Sequence, residues 1–244
     1  FPTVPFPNPE EAGALDMAIE QAREQGADLI IAVDPDADRC ALAVPDPSSE
    51  TGWSPLSGDQ IGSLLGEFLA SRGMKGSLAN SIVSSRLLSR IAHAHGLEHH
   101  TTLTGFKWIA RAPGLGFGYE EAIGFCPDPA HVRDKDGIAT SVVAASLVAA
   151  LKAQGRSVWD ELERLARLHG LHVSSPLTFR VEQIEQIASG MARLRAQPPS
   201  VLAGSPVVEV SDLSQGYRGL PPTDGVLVLT EAGDRVIARP SGTE

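Results

Sequence analysis

The run Asp34-Pro35-Asp36-Ala37-Asp38-Arg39 constrains this chain more than any other feature. Three carboxylates alternate between two apolar runs, Leu29-Ile30-Ile31-Ala32-Val33 before and Cys40-Ala41-Leu42-Ala43-Val44 after. Short apolar runs bounded by turn residues read as buried strands. The acids therefore sit on a tight connection at a strand end. Hard oxygen ligands there suit Mg²⁺, which favours a few carboxylates with a phosphate oxygen and water. A solvated turn is the plainer alternative, since Asp and Pro favour turns in any case. An EF-hand fails, because its sixth position needs Gly and its twelfth needs Glu. Counting from Asp34, those positions hold Arg39 and Pro45. A phosphatase with Asp34 as its nucleophile also places Asp-x-Asp after a buried strand and stays open at this point.

Length and charge narrow the field. The 244 residues allow one large domain or two smaller ones. A net charge of −10 argues against a general nucleic-acid binder, which needs lysine and arginine to neutralise phosphates. No apolar run approaches the roughly 20 residues of a membrane helix, so no membrane partner is expected. Cys40 and Cys126 lie in apolar surroundings without metal spacing, and a reduced, cytoplasmic setting is the expectation. The chain begins at Phe1 and stops just after the turn Arg239-Pro240-Ser241-Gly242-Thr243-Glu244, so both ends read as cut.

Along the chain, Asn8-Pro9-Glu10-Glu11 reads as a helix start, with Leu15, Ala18, Ile19 and Ala22 on one apolar face and Gly26 as the stop. Residues 45–57 read as a domain boundary or a surface hairpin. A second α/β unit follows. Its expected helices run from Gly58 to Arg72, Leu87 to His95, Gly137 to Ala153 and Ser157 to His169. Its expected strands run from Leu78 to Val83, Glu98 to Leu103 and Leu115 to Tyr119. Ser84-Ser85-Arg86 reads as a helix cap. Beyond Gly170, a strand from Leu177 to Val181, a helix from Glu182 to Arg195 and short strands at 207–210, 226–229 and 236–238 make a sheet-rich α+β unit.

Four motifs then fall in order with domain-sized gaps: DPDADR at 34–39, GYEEAIG at 118–124, HVRDKDG at 131–137 and RPSGTE at 239–244. Together they resemble the α-D-phosphohexomutases, the phosphoglucomutase and phosphomannomutase superfamily, across essentially the whole chain. The resemblance implies repeated α/β domains followed by a sheet-rich α+β domain. Residues 1–50 would end a second domain, 51–170 would form a third and 171–244 would form an incomplete fourth. It implies that Asp34, Asp36 and Asp38 hold one Mg²⁺ beside a phosphoserine that Arg39 orients. Glu120, Glu121, Thr104 and Gly105 would line the sugar pocket, with Glu120 the better candidate for hydroxyl contacts. Lys135 would be the general acid/base, with His131 beside it. Arg239, Ser241, Gly242 and Thr243 would grip the distal phosphate.

The activity so implied interconverts the 1-phosphate and 6-phosphate of glucose or mannose, with a sugar bisphosphate as intermediate and activator. The partner is a small sugar phosphate, and the molecule is a monomer or homodimer. Two departures matter. Ala122 stands where many hexose-specific members carry Ser, which resembles the phosphopentomutase branch. The phosphoserine loop, of the Thr-x-Ser-His-Asn-Pro type, is not in these residues and would lie upstream of Phe1. A homologue that binds sugar phosphate without catalysis is therefore a further alternative.

The residue chemistry agrees with the resemblance. Phosphoryl transfer is mostly positioning and charge neutralisation. A lysine can act as both acid and base if its neighbours lower its pKa. Asp134 and Asp136 flank Lys135 and favour the charged form, so Arg133, metal or burial would have to oppose them. An arginine with hydroxyls and an exposed glycine backbone suits a phosphate.

Overall fold

A computed structural model describes Val4, residues 7–179 and residues 181–240. The chain divides into two compact units, Phe1–Ser174 and Ser175–Glu244. In the first unit, helix α1 (Asp16–Gln25) leads to β1 (Ile30–Val33), β2 (Cys40–Pro45) and β3 (Trp53–Pro55), an antiparallel sheet in the order β1-β2-β3. Residues 45–57 thus form a surface hairpin, and β3 lies beyond the boundary expected at residue 50. Next come α2 (Gly58–Ser71), β4 (Ser77–Ser81), α3 (Leu87–Ala94), β5 (His99–Thr102), the single turn α4 (Phe106–Ile109), β6 (Leu115–Glu120) and β7 (Gly124–Cys126). The second sheet has the order β5-β4-β6-β7. Its β4 runs parallel to β5 and β6, while β7 is antiparallel to β6. Helices α5 (Gly137–Ala153) and α6 (Val158–His169) complete the unit.

One buried cluster joins the two sheets, from Leu42 and Val44 on β2 through Ile61, Leu64 and Leu65 on α2 to Phe117, Phe125, Leu147 and Leu165. The helix starts are encoded locally. Ser57 and Gln60 form a reciprocal capping box for α2, Ser157 and Asp160 do the same for α6, and Asp136 caps α5 through the Ala139 N–H. α5 spans the residues expected of it from sequence.

The structure corrects three expectations. The helix expected from Asn8 begins only at Asp16. Asn8 Oδ1 instead accepts from Glu10 N in a local turn, and Gly13 at φ 81° interrupts any helix there. β1 is buried on one side only: Ile30 packs under α1, whereas Ile31 and Val33 are exposed. No strand forms among the described residues of 177–181. Pro176 lacks a donor, no strand partner lies alongside among the described residues, and Leu177 and Phe179 face solvent.

The second unit carries α7 (Glu185–Ala196) and the antiparallel strands β8 (Val201–Leu202), β9 (Ser205–Asp212), β10 (Val226–Thr230) and β11 (Arg235–Ala238), in the order β11-β10-β9-β8. Met191 and Leu194 of α7 pack on Val226 and Val228.

Candidate active site

The acidic loop closes the β1–β2 hairpin. Ala37 N donates to Asp34 O at 2.9 Å, and Ala37 takes the left-handed conformation at φ 59°. Arg39 ties the loop shut from within. Its backbone N donates to Asp34 Oδ1 at 2.9 Å and its Nε to Asp34 Oδ2 at 2.7 Å, with Asp38 Oδ1 at 3.9 Å. The start of α5 presses against the loop. Gly137 N donates to Ala37 O at 3.0 Å, and a Cβ on Gly137 would come within 2.7 Å of that oxygen. Only glycine fits this approach.

Asp34 is buried, with 5% of its surface exposed. Burial alone would raise its pKa, but the hydrogen bonds and charge of Arg39, with help from Asp36, hold the carboxyl below its ordinary value. One oxygen from each of Asp34, Asp36 and Asp38 lies within 4.8 Å of the others. The donor set is all hard oxygen, and a carboxylate oxygen bonded to Arg39 still has a lone pair to offer. The residues therefore fit a Mg²⁺ ion that completes its shell with water or phosphate.

Lys135 reaches this loop. Its Nζ lies 2.7 Å from Asp38 Oδ2 and 3.5 Å from Asp134 Oδ1, and 5.5 Å from the centre of the Phe106 ring. Its stem crosses Gly124 of β7. Burial would lower its pKa, yet the hydrogen bond and charge of Asp38, with Asp134 behind, raise it above the ordinary lysine value. The acids thus favour the charged form, as the flanking Asp134 led one to expect, and burial does not overcome them. Arg133, expected to oppose the acids, donates its Nε to Ala110 O at 2.8 Å. His131 is exposed and holds Asp128 at 2.7 Å through Nδ1.

The GYEEAIG loop lies against the same hairpin. Arg39 bridges to Gly124, and Cys40 N donates to Ile123 O at 3.0 Å. Glu120 Oε1 accepts from Gly105 N at 2.6 Å, so the expected pocket residues Glu120 and Gly105 meet. Thr104, next to Gly105, is half-buried. Glu121 Oε2 accepts from two buried hydroxyls, Ser81 Oγ at 2.9 Å and Ser84 Oγ at 2.7 Å. Ser84 is thus a partner of the loop, while Ser85 Oγ makes the cap-like bond, accepting from Leu87 N at 3.2 Å. Under the loop, Asp59 Oδ1 accepts from Ser85 N at 2.7 Å and from the fully buried Tyr119 hydroxyl at 2.8 Å. A Cβ on Gly58 would stand 1.9 Å from Glu121 O. Gly58, Asp59 and Ser81 carry no sequence motif. The only sequence signal for this group is the Ser84-Ser85 pair.

In the second unit, Arg239 follows β11 and is exposed. Ser241, Gly242 and Thr243 lie outside the described residues.

The layered α/β scaffold with loops converging at strand and helix ends, followed by a sheet-rich unit, is the architecture of a phosphohexomutase. A solved structure titled as a putative phosphomannomutase from Thermus thermophilus shares the fold, with a TM-score of 0.63 at 23% identity over 97% of this chain and 47% of that one. The chain belongs to the phosphoglucomutase/phosphomannomutase family. The family's α/β/α domain II matches residues 1–48, and its α/β/α domain III matches residues 57–168. A probable phosphomannomutase of Haemophilus influenzae is 46% identical over all of this chain and 50% of its own length. A phosphopentomutase of Mus musculus is 32% identical over all of this chain and 44% of its own length. The chain thus spans about half the length of these curated relatives.

Proposed function

We propose that these residues form the metal, sugar and distal-phosphate parts of a sugar-phosphate mutase, which moves a phosphoryl group between the 1- and 6-positions of glucose or mannose. The observation that carries this reading is the contact of Lys135 Nζ with Asp38, 2.7 Å apart, at the edge of the three-aspartate loop. On this reading a proton carrier lies beside a divalent-cation site, as phosphoryl transfer between a serine and a sugar hydroxyl requires. Asp34, Asp36 and Asp38 would hold Mg²⁺, which supplies charge neutralisation at the transferring phosphate. Arg39, fixed by Asp34, would offer its remaining N–H groups to that phosphate. Lys135, kept protonated by Asp38, would give its proton to the oxygen that departs and take up, in the same transfer, the proton that the attacking hydroxyl releases, so that it ends each step charged. Glu120 and Glu121 accept from sugar hydroxyls, and Arg239 with Ser241, Gly242 and Thr243 grips the distal phosphate. The phosphoserine and the activating sugar bisphosphate belong to this reading, and so does a cytoplasmic setting, which two buried free thiols, Cys40 and Cys126, support.

A pentose phosphate is the second reading. Ala122 and the similarity to a phosphopentomutase favour it. The test uses the full-length protein with Mg²⁺ and a trace of hexose bisphosphate. Glucose 1-phosphate, mannose 1-phosphate and ribose 1-phosphate are each followed for isomer formed and inorganic phosphate released. Isomer without phosphate release is expected. Phosphate release alone would mean a phosphatase, and binding without turnover would mean a non-catalytic homologue.

A further inference from the structure

Glu121 is held by groups that the reaction itself does not call for. Ser81 ends β4 and Ser84 lies in the turn before α3, and each is almost wholly buried, at 2% and 1% exposed. Both hydroxyls reach the same carboxylate oxygen, Glu121 Oε2. Ser84 N in turn donates to Ser81 Oγ at 3.2 Å, and the two hydroxyl oxygens lie 2.9 Å apart, so Ser81, Ser84 and Glu121 form one hydrogen-bonded cluster. A buried hydroxyl has one proton, and here two such hydroxyls lie within hydrogen-bond reach of one anion. Hydrogen bonds to a charged acceptor are short and strong, and cost most to lose where water cannot replace them.

The turn that carries Ser84 is itself pinned. Ser85 N donates to Asp59, and Asn80 Nδ2 donates to Ser85 O at 2.8 Å. Asn80 Oδ1 lies 3.0 Å from His99 Nε2. So β4, α2 and β5 all contribute to holding one side chain of the loop after β6.

We propose that Ser81 and Ser84 are positioning residues. They fix Glu121 through Oε2, leave its other oxygen free for the pocket, and so hold Glu120 where its carboxylate meets both Gly105 N and the sugar. This deepens the mutase reading and rests on it. The two glutamates then have separate tasks: Glu121 is the anchored member that sets the loop, and Glu120 is the member whose position is set. Ser81→Ala together with Ser84→Ala should let the loop relax without touching the metal loop or Lys135.

The experiment uses the full-length protein. Hydrogen exchange is measured across residues 118–126, and steady-state turnover of glucose 1-phosphate is measured beside it. Wild-type turnover decides the mutase reading independently, whatever the serine variants do. In the double alanine variant, exchange at residues 121–124 should speed up by at least about tenfold while that of α5 and β2 stays unchanged. KM should rise by about 10–100-fold with kcat changed far less, since sub-ångström misplacement of a binding group costs on this scale. Ser84→Thr, which keeps the hydroxyl, should leave KM near the wild-type value where Ser84→Ala raises it. Unchanged exchange at 121–124, an unchanged KM, or equal loss of kcat and stability throughout the unit would overturn the proposal. Should the double variant fail to fold, Glu121→Gln replaces it, because it keeps the shape and removes the charge. The same KM rise with local exchange supports the proposal, and wild-type behaviour overturns it.

Discussion

The Asp34–Arg39 loop and the Glu120–Gly124 loop lie side by side, yet they are held in opposite ways. The acidic loop is held mostly from within: Arg39 reaches Asp34 five residues back, through both backbone and side chain. The sugar loop is held from without: Glu121 is bound by serines 40 and 37 residues away, and Tyr119 by an aspartate 60 residues away. A motif that closes on itself announces its geometry in the sequence. A loop clamped by remote residues announces only its own half.

The largest expected effect lies on the acidic side. Lys135→Ala in the full-length protein should lower kcat by roughly 10²–10⁴-fold, the range for loss of a positioned acid/base. Stopped assays in both reaction directions check it. A rise in KM alone would make Lys135 a binding residue and shift the proton to another group.

Arg239→Ala probes the second unit, outside either loop. Loss of a charged hydrogen-bond donor costs about 1.5–3 kcal/mol. The 1-phosphate and 6-phosphate forms should therefore each bind roughly 10–150-fold more weakly. Loss in one direction only would place the phosphate anchor elsewhere.

Two glycines separate the loops. Gly58→Ala drives a methyl into Glu121 O, and Gly137→Ala drives one into Ala37 O and Arg39 O. Each should cost about 1–3 kcal/mol of stability, the usual penalty for overpacking. Chemical denaturation measures that. Gly58→Ala should raise KM for the sugar and spare Mg²⁺ affinity, and Gly137→Ala should do the reverse. If both variants alter both quantities alike, the two loops are one mechanical unit and the contrast fails.

Acidification gives the smallest and most graded test. Burial, then the charge of His100, lowers the pKa of His99 to about 4 from 6.5. The unfolded chain therefore binds this proton more readily than the folded one. The stability His99 contributes is complete above pH 6.5 and is lost as pH falls toward about 4. His172, lowered first by burial, adds to the same slope. Asp34 has the same sign in a lower window: its folded pKa lies below 3.8, so its contribution is lost only as the pH falls beneath about that value. His99 supports the Ser84–Ser85 turn through Asn80, so the sugar side should loosen first. Unfolding midpoints between about pH 7 and 4 should slope less steeply in His99→Gln. An unchanged slope would remove His99 from that support.

The sequence made the acidic loop legible because DPDADR carries both the carboxylates and the arginine that orders them. It made α5 legible because an apolar run starts after a capping aspartate and ends in a basic turn. The acids beside Lys135 were legible, but its nearest partner was not, since Asp38 lies far away in the chain and meets it only in the fold. Nor was the anchoring of Glu121, which depends on the parallel pairing of β4 with β6 bringing Ser81 beside the loop. Leu177 to Val181 alternates as a strand should, but alternation supplies no partner for its N–H and C=O groups. The start of α1 slipped because Asn8 satisfies a turn as readily as a helix.

The proposed mutase depends on Asp34, Asp36 and Asp38 forming a single cation site that serves phosphoryl transfer beside Lys135. The most direct measurement is calorimetric titration of Mg²⁺ into the full-length protein and its Asp36→Asn variant, with turnover measured on the same samples. The wild type should bind one ion, and the folded variant should lose both that binding and turnover. A folded Asp36→Asn protein that keeps Mg²⁺ binding, or more than half of wild-type turnover, would contradict it.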